Sequence, residues 1–240
     1  MSARRTKRLA TAISIGSALA LPACFGTETG NPPFAPELGG GGYEPMVIAP
    51  DPVLEAARIA IEQASLEDCE GRRVPLFRAG VLDAMGGVLE VREPLEIVPG
   101  TFCALELRVA ACEDADLCRA LAPHAVAIDA TRRADGAAIE IRGRDTLDVR
   151  LEGTFEVTPD EGGLLLAVDR AALTAGLSLT TLEAVDGVVR IDADHNADRL
   201  PALADGVRSA ITLRRDLDDD GALDPEELDL PPLAAPRTEP

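Results

Sequence analysis

The sequence predicts a mainly β fold: an antiparallel, sandwich-like β body that carries a C-terminal helix and a calcium-type loop. Three observations lead there. Short runs of alternating apolar and polar residues recur along the chain, with Gly and Pro between them. Four cysteines downstream of the N-terminal segment suit a disulfide-bonded, exported domain. A helical apolar stripe occurs near the C-terminal end, just ahead of a dense acidic string.

In chain order, Arg4, Arg5, Lys7 and Arg8 form a basic stretch, and Leu9 to Leu21 is apolar and uncharged. Residues 1–23 read as a secretion signal. An apolar run of about 15 residues falls short of the roughly 20 that a spanning helix needs. Leu21-Pro22-Ala23-Cys24 resembles the lipobox of bacterial lipoproteins, with Pro22 where a small residue is usual. This makes Cys24 the lipid-bearing residue and the membrane the partner that it engages. Residues 24–50 are rich in Gly and Pro and are expected to form a flexible tether, most mobile at Gly39–Gly42.

The β body is expected over 51–195. Asp51-Pro52 could cap a helix through Val53–Ala57, but Arg58-Ile59-Ala60-Ile61-Glu62 alternates, and a strand over 57–63 is preferred. Phe102–Val109 places Cys103, Leu105, Leu107 and Val109 on one strand face. Ala125–Ile128 is a short apolar run. Ala138–Arg142 and Leu147–Glu152 alternate, with a turn expected at Gly143–Asp145. Phe155 and Val157 extend this meander, and a turn at Asp160–Gly163 leads into Leu164–Val168. Cys69, Cys103, Cys112 and Cys118 allow three pairings. Cys69–Cys103 with Cys112–Cys118 is preferred, the second closing a small loop around Glu113–Asp116. No CxxC motif and no nearby His support zinc.

Residues 196–230 read as a helix plus loop. Asn196 is expected to cap a helix over Arg199–Leu213, with Leu200, Leu203, Val207, Ala210 and Ile211 on one face. Pro201 suggests that the helix begins near it. Residues 216–227 match every required position of the EF-hand pattern D-x-[DN]-x-[DN]-G-x5-E. Asp216, Asp218 and Asp220 supply carboxylates, Gly221 the sharp turn, and Ala222 a backbone carbonyl. Asp224 can hold a ligand water, and Glu227 can bind through both oxygens. Ca²⁺ needs this spacing because it takes six to eight hard oxygens at about 2.3–2.6 Å. Arg214 and Arg215 before the loop and Pro231-Pro232 after it argue against a full helix–loop–helix pair. A lone loop docked on the body, with a dissociation constant on the order of 10⁻⁴–10⁻³ M, suits a structural site. The string Asp192–Asp198 lacks Gly at the sixth position and Glu at the twelfth, so helix capping by Asn196 is the expected role there. Residues 231–240 are expected to be a disordered tail.

The charge excludes other classes. Four of the 23 basic residues and none of the 42 acidic ones lie in 1–23, leaving 19 basic against 42 acidic and a net −23. Such a polyanion repels nucleic acid and favours cations. The histidines are His124 and His195, no G-x-S-x-G, P-loop or H-E-x-x-H occurs, and Trp is absent. The chain is therefore expected not to be an enzyme; a hydrolase working through unassigned carboxylates is the weaker alternative.

Three segments carry a family resemblance. Cys24–Pro32 (CFGTETGNP) is similar to a post-lipobox CGTETGNP segment, and Pro99–Cys103 (PGTFC) to a PGTYC strand start. Ile191–Asn196 leads into the terminal helix and the DxDxDG loop. Together they resemble a family of uncharacterised lipoproteins from myxobacteria and related deltaproteobacteria. The resemblance implies a surface or periplasm-facing lipoprotein, a β-sandwich-like body and a C-terminal calcium loop. Phe25 stands where that family has Gly, and the residue after Cys24 is not Asp, which implies outer-membrane sorting. The expectation is a non-catalytic outer-membrane lipoprotein with a structural Ca²⁺, and the alternative a calcium-dependent adhesion or partner-binding module.

Overall fold

The computed structural model describes residues 33–43, 51–111, 116–119 and 121–237. The expected signal, Cys24, much of the expected tether, Cys112 and the last residues of the expected tail lie outside them. The described chain is mainly β, as expected. Its strands are β1 (Leu38–Tyr43), β2 (Val53–Asp68), β3 (Arg73–Asp83), β4 (Val88–Pro94), β5 (Gly100–Val109) and β6 (Val126–Thr131). They continue as β7 (Ala138–Gly143), β8 (Leu147–Val157) and β9 (Leu164–Asp169), which runs into helix α1 (Arg170–Thr174). The C-terminal part contains β10 (Val188–Ile191), α2 (Leu200–Ala210), β11 (Ile211–Arg215), α3 (Pro225–Leu228) and β12 (Ala235–Pro236).

β2 organises the larger, nine-stranded sheet. One edge of this 16-residue strand pairs with β3. Its other edge pairs first with β6, over Val53–Ile59, and then with β5, over Ile61–Asp68. The sheet therefore forks at Ala60, whose N–H donates to the Ala125 carbonyl and whose own carbonyl accepts from Ala110. One branch continues β6–β7–β10 and the other β5–β8–β12. Ala57, Ile59 and Ile61 of β2 join the main core in one phase and Ala64 and Leu66 in the other, because a bulge between Ile61 and Gln63 shifts the register. That phase change is why the alternation suggested a strand ending near 63.

β7 and β8 are not neighbours in the sheet, so the expected meander through Gly143–Asp145 is instead a link between the two branches. A second sheet of three strands has the order β1–β9–β11, with β1 parallel and β11 antiparallel to β9. Inward residues of both branches and of the small sheet share one core, including Ile128, Ile141, Leu105, Val149, Leu166 and Leu213. Burying such side chains stabilises by about 25 cal/mol per Å² of apolar surface. A disulfide joins Cys69 to Cys103, in the preferred pairing. Cys118 is also disulfide-bonded and packs with Ala60, Val81, Leu121 and Ala127.

The structure departs from the sequence reading in four further places, one near the N-terminus and three in the C-terminal part. Gly39–Gly42, expected to be the loosest part of a tether, form a strand in which Gly39, Gly40 and Gly41 are buried. The helix stops at Ala210 rather than Leu213, because Ile211 and Leu213 gain more by pairing with Val168 and Leu166 of β9. Asn196 does not cap it: its backbone is left-handed, its side chain donates to the Arg190 carbonyl, and a 3₁₀ turn at Ala197–Arg199 precedes α2. α2 does begin beside Pro201. The expected tail is held as far as Pro236: Leu233 and Ala234 bond Leu213, and Ala235-Pro236 pairs with β8.

Candidate metal centre

β11 delivers the acidic loop and α3 closes it. Asp216 follows the last residue of β11 and is 1% exposed. Its N–H donates to the Gly163 carbonyl at 3.0 Å, tying the loop to the β8–β9 connection. Its Oδ2 accepts the Gly221 N–H at 2.9 Å, across the turn that φ +74° at Gly221 allows. Its Oδ1 is buried and has no hydrogen-bond partner.

Glu227 reaches the same point from α3 and is 3% exposed. Its two carboxylate oxygens accept from the N–H groups of Leu217, at 2.7 Å, and Asp224, at 3.0 Å. The Asp224 side chain caps α3 in return, completing a capping box. Asp218 is exposed and completes a group: one oxygen each from Asp216, Asp218 and Glu227 lie within 4.8 Å of one another. Oxygens on a common Ca²⁺ at about 2.3–2.6 Å are separated by up to roughly twice that distance, so the three carboxylates can share an ion.

Of the sequence-assigned ligands, Asp216, Asp218 and Glu227 are thus brought together. Asp220 instead turns its Oδ1 to the Ala222 N–H at 2.7 Å, and Asp224 serves as the cap. Among the described residues no arginine forms a salt bridge with Asp216, Asp218 or Glu227. Two of these carboxylates are buried, and buried like charges without a counter-charge are costly. The neighbouring Arg214, 8% exposed, gives its Nη1 to the backbone carbonyls of Glu227, Leu228 and Leu230. It secures the end of α3 and sits 5.7 Å from the Tyr43 ring centroid.

The supports of this loop escaped the sequence reading. Asp219, in the left-handed region at φ +58°, accepts the Gly163 N–H at 2.6 Å. Gly40 donates to the Gly221 carbonyl at 3.3 Å. Both contacts come from distant parts of the chain, and a motif spacing carries no sign of them.

The other polar clusters are of a different kind. On the outer face of β3–β2–β5–β8, Arg73 and Arg150 both pair with Glu67 and Glu106. Arg150 chiefly, by hydrogen bond and charge, holds the Glu67 carboxyl down at about 2. Burial, with Arg144 and Arg142 nearby, pushes the His124 imidazole below its ordinary range. His195 contacts Asp192 at 3.0 Å, and Asp192 also accepts from the backbone of Asp194 and His195. That turn, not a helix cap, occupies the second acidic string.

No protein-family model matches the chain, and no curated protein matches it. Among solved structures it is similar to MbnP from Methylosinus trichosporium, at 12% identity and a TM-score of 0.40, over 76% of this chain and 98% of that one.

Proposed function

We propose that this chain is a non-catalytic lipoprotein of the outer membrane, anchored at Cys24, whose residues 216–227 bind a structural Ca²⁺. The observation that carries the metal reading is the buried, unpartnered Asp216 Oδ1, in a group with the carboxylates of Asp218 and Glu227. A buried anionic oxygen without a donor is an expensive feature unless a cation completes it. An all-oxygen set favours a hard ion, and the loop order matches the spacing that wraps Ca²⁺. The anchor and the address rest on the N-terminal sequence, the basic stretch followed by an uncharged apolar run and Cys24. Millimolar Ca²⁺ outside the cytoplasm would keep a weak site filled.

Thermal melting with calcium and with chelator tests the metal reading. A site with a dissociation constant on the order of 10⁻⁴–10⁻³ M gains about 1.4–2.7 kcal/mol from 10 mM Ca²⁺. That corresponds to a rise of roughly 3–10 °C for a domain of this size. Equal melting temperatures in the two conditions reject the reading.

A further inference from the structure

Residues 216–227 do more than surround three carboxylates: they cover the strand that leads in from the N-terminal side. β1 pairs with β9 along one edge, in parallel from Leu38↔Leu164 to Tyr43↔Asp169. On its other edge Gly40 donates its N–H to the carbonyl of Gly221. Gly221 donates its own N–H to Asp216 Oδ2. One peptide unit on each side of Gly221 therefore connects the carboxylate cluster to β1.

The steric contacts run the same way. A Cβ on Gly39 would lie 2.5 Å from the Gly221 carbonyl oxygen and 2.6 Å from its Cα. One on Gly41 would lie 3.4 Å from Leu223 Cβ. The opposite face of the strand, at Gly40 and Gly42, lies against Leu82, Leu89 and Ala84 of the β3–β4 hairpin. A run of glycines offers no side chains, so β1 is held by backbone bonds and by close backbone approach to its neighbours. Glycine also loses the most conformational entropy on ordering, which leaves the strand dependent on whatever covers it.

We propose that the acidic loop is a cation-operated clasp on β1: Ca²⁺ drawn to Asp216, Asp218 and Glu227 fixes Gly221 and Leu223 against Gly39–Gly41, so that cation binding and docking of the strand form one coupled equilibrium. This rests on the calcium reading above and adds its consequence. Without the cation, the buried Asp216 Oδ1 and its carboxylate neighbours favour an opened loop, which removes the acceptor of the Gly40 N–H and the cover over Gly39 and Gly41. Coupling of this kind is reciprocal. Whatever factor calcium adds to the docking of β1, a docked β1 adds to the affinity for calcium.

The test uses the whole chain in two measurements. Calorimetric titration with CaCl₂ reports binding. Hydrogen exchange at the backbone amides of Gly40–Tyr43, in calcium and in chelator, reports docking. Calcium is expected to bind and to slow exchange at these amides by about ten-fold or more. In Asp216→Asn the same calcium should leave their exchange unchanged. Gly39→Ala, which leaves every carboxylate in place, should weaken calcium binding by a factor of about ten. If that variant does not fold, exchange in the unaltered chain still decides. Calcium heat with unchanged β1 exchange overturns the clasp and leaves the calcium site standing. No heat up to millimolar calcium overturns both.

Discussion

At the scale of single residues, Asp216 concentrates the energetic tension of the molecule. Its Oδ2 has a donor and its Oδ1 has none, at 1% exposure. Asp216→Asn keeps the shape and removes the charge, so two outcomes should appear together. In chelator the variant should melt at or above the temperature of the parent, because a buried repulsion is relieved. In calcium it should lose the rise in melting temperature. Arg214 works oppositely, as a donor to backbone carbonyls. Arg214→Ala leaves the carbonyls of Glu227, Leu228 and Leu230 without their donor and should cost about 2–3 kcal/mol in chemical denaturation. Glu67 predicts a pH dependence. Its folded carboxyl titrates at about 2 instead of near 4.5, so its contribution is complete above pH 4.5 and is lost as the pH falls toward 2. A carbon-detected NMR titration should place its midpoint near 2, and Glu67→Gln should flatten the stability profile across that window. The Asp and Glu pattern of the loop was legible from sequence, because fixed spacing within twelve consecutive residues carries the chemistry. Gly163 and Gly40 could not be read so, since they reach the loop only through the fold.

At the scale of elements, legibility follows how strictly a strand alternates. β7, β8 and β9 keep one phase or an unbroken apolar run, and each lies where the pattern suggests. β5 does so from Leu105 to Val109, but a bulge between Phe102 and Ala104 shifts its phase, so Phe102 and Ala104 are buried where Cys103 was expected to be. β2 changes phase at its bulges, so only its centre was visible as a strand. β3 escaped notice because Pro75 interrupts it and Ala79 adopts φ +54°. β1 was read as a tether because glycine carries no period at all. Side-chain-free strands are stabilised by what surrounds them, which sequence patterns do not record. The same reasoning accounts for β11. Its residues fit a helical stripe as well as a strand, and pairing with β9 decides the outcome. A proline at Thr212 should therefore be far more disruptive than helix propensity suggests, because the register with Ala167 leaves no room for lost ladder bonds; far-UV circular dichroism and melting would register the loss.

At the scale of the whole molecule, the small sheet places β1 against the acidic loop, and the forked sheet receives the C-terminal segment on β8. β1 enters there, and the segment after α3 returns along β11 and β8. The Cys69–Cys103 bridge fixes the far end of β2 to β5, closing a sequence separation of 34 residues. Replacing both cysteines with alanine should cost about 2–4 kcal/mol in equilibrium unfolding. Composition and cysteine count made the mainly β, disulfide-bonded body legible. Strand order was not, because one edge of β2 pairs with β6 before Ala60 and with β5 after it, a change of partner that no local pattern announces. Whether residues 216–227 hold a cation is decided by a crystal structure of the chain grown in millimolar CaCl₂. An ion is expected within bonding distance, about 2.3–2.6 Å, of Asp216 Oδ1, Asp218 and Glu227, with β1 in place against Gly221. An ordered loop at that calcium concentration with no ion beside Asp216 would contradict the calcium reading.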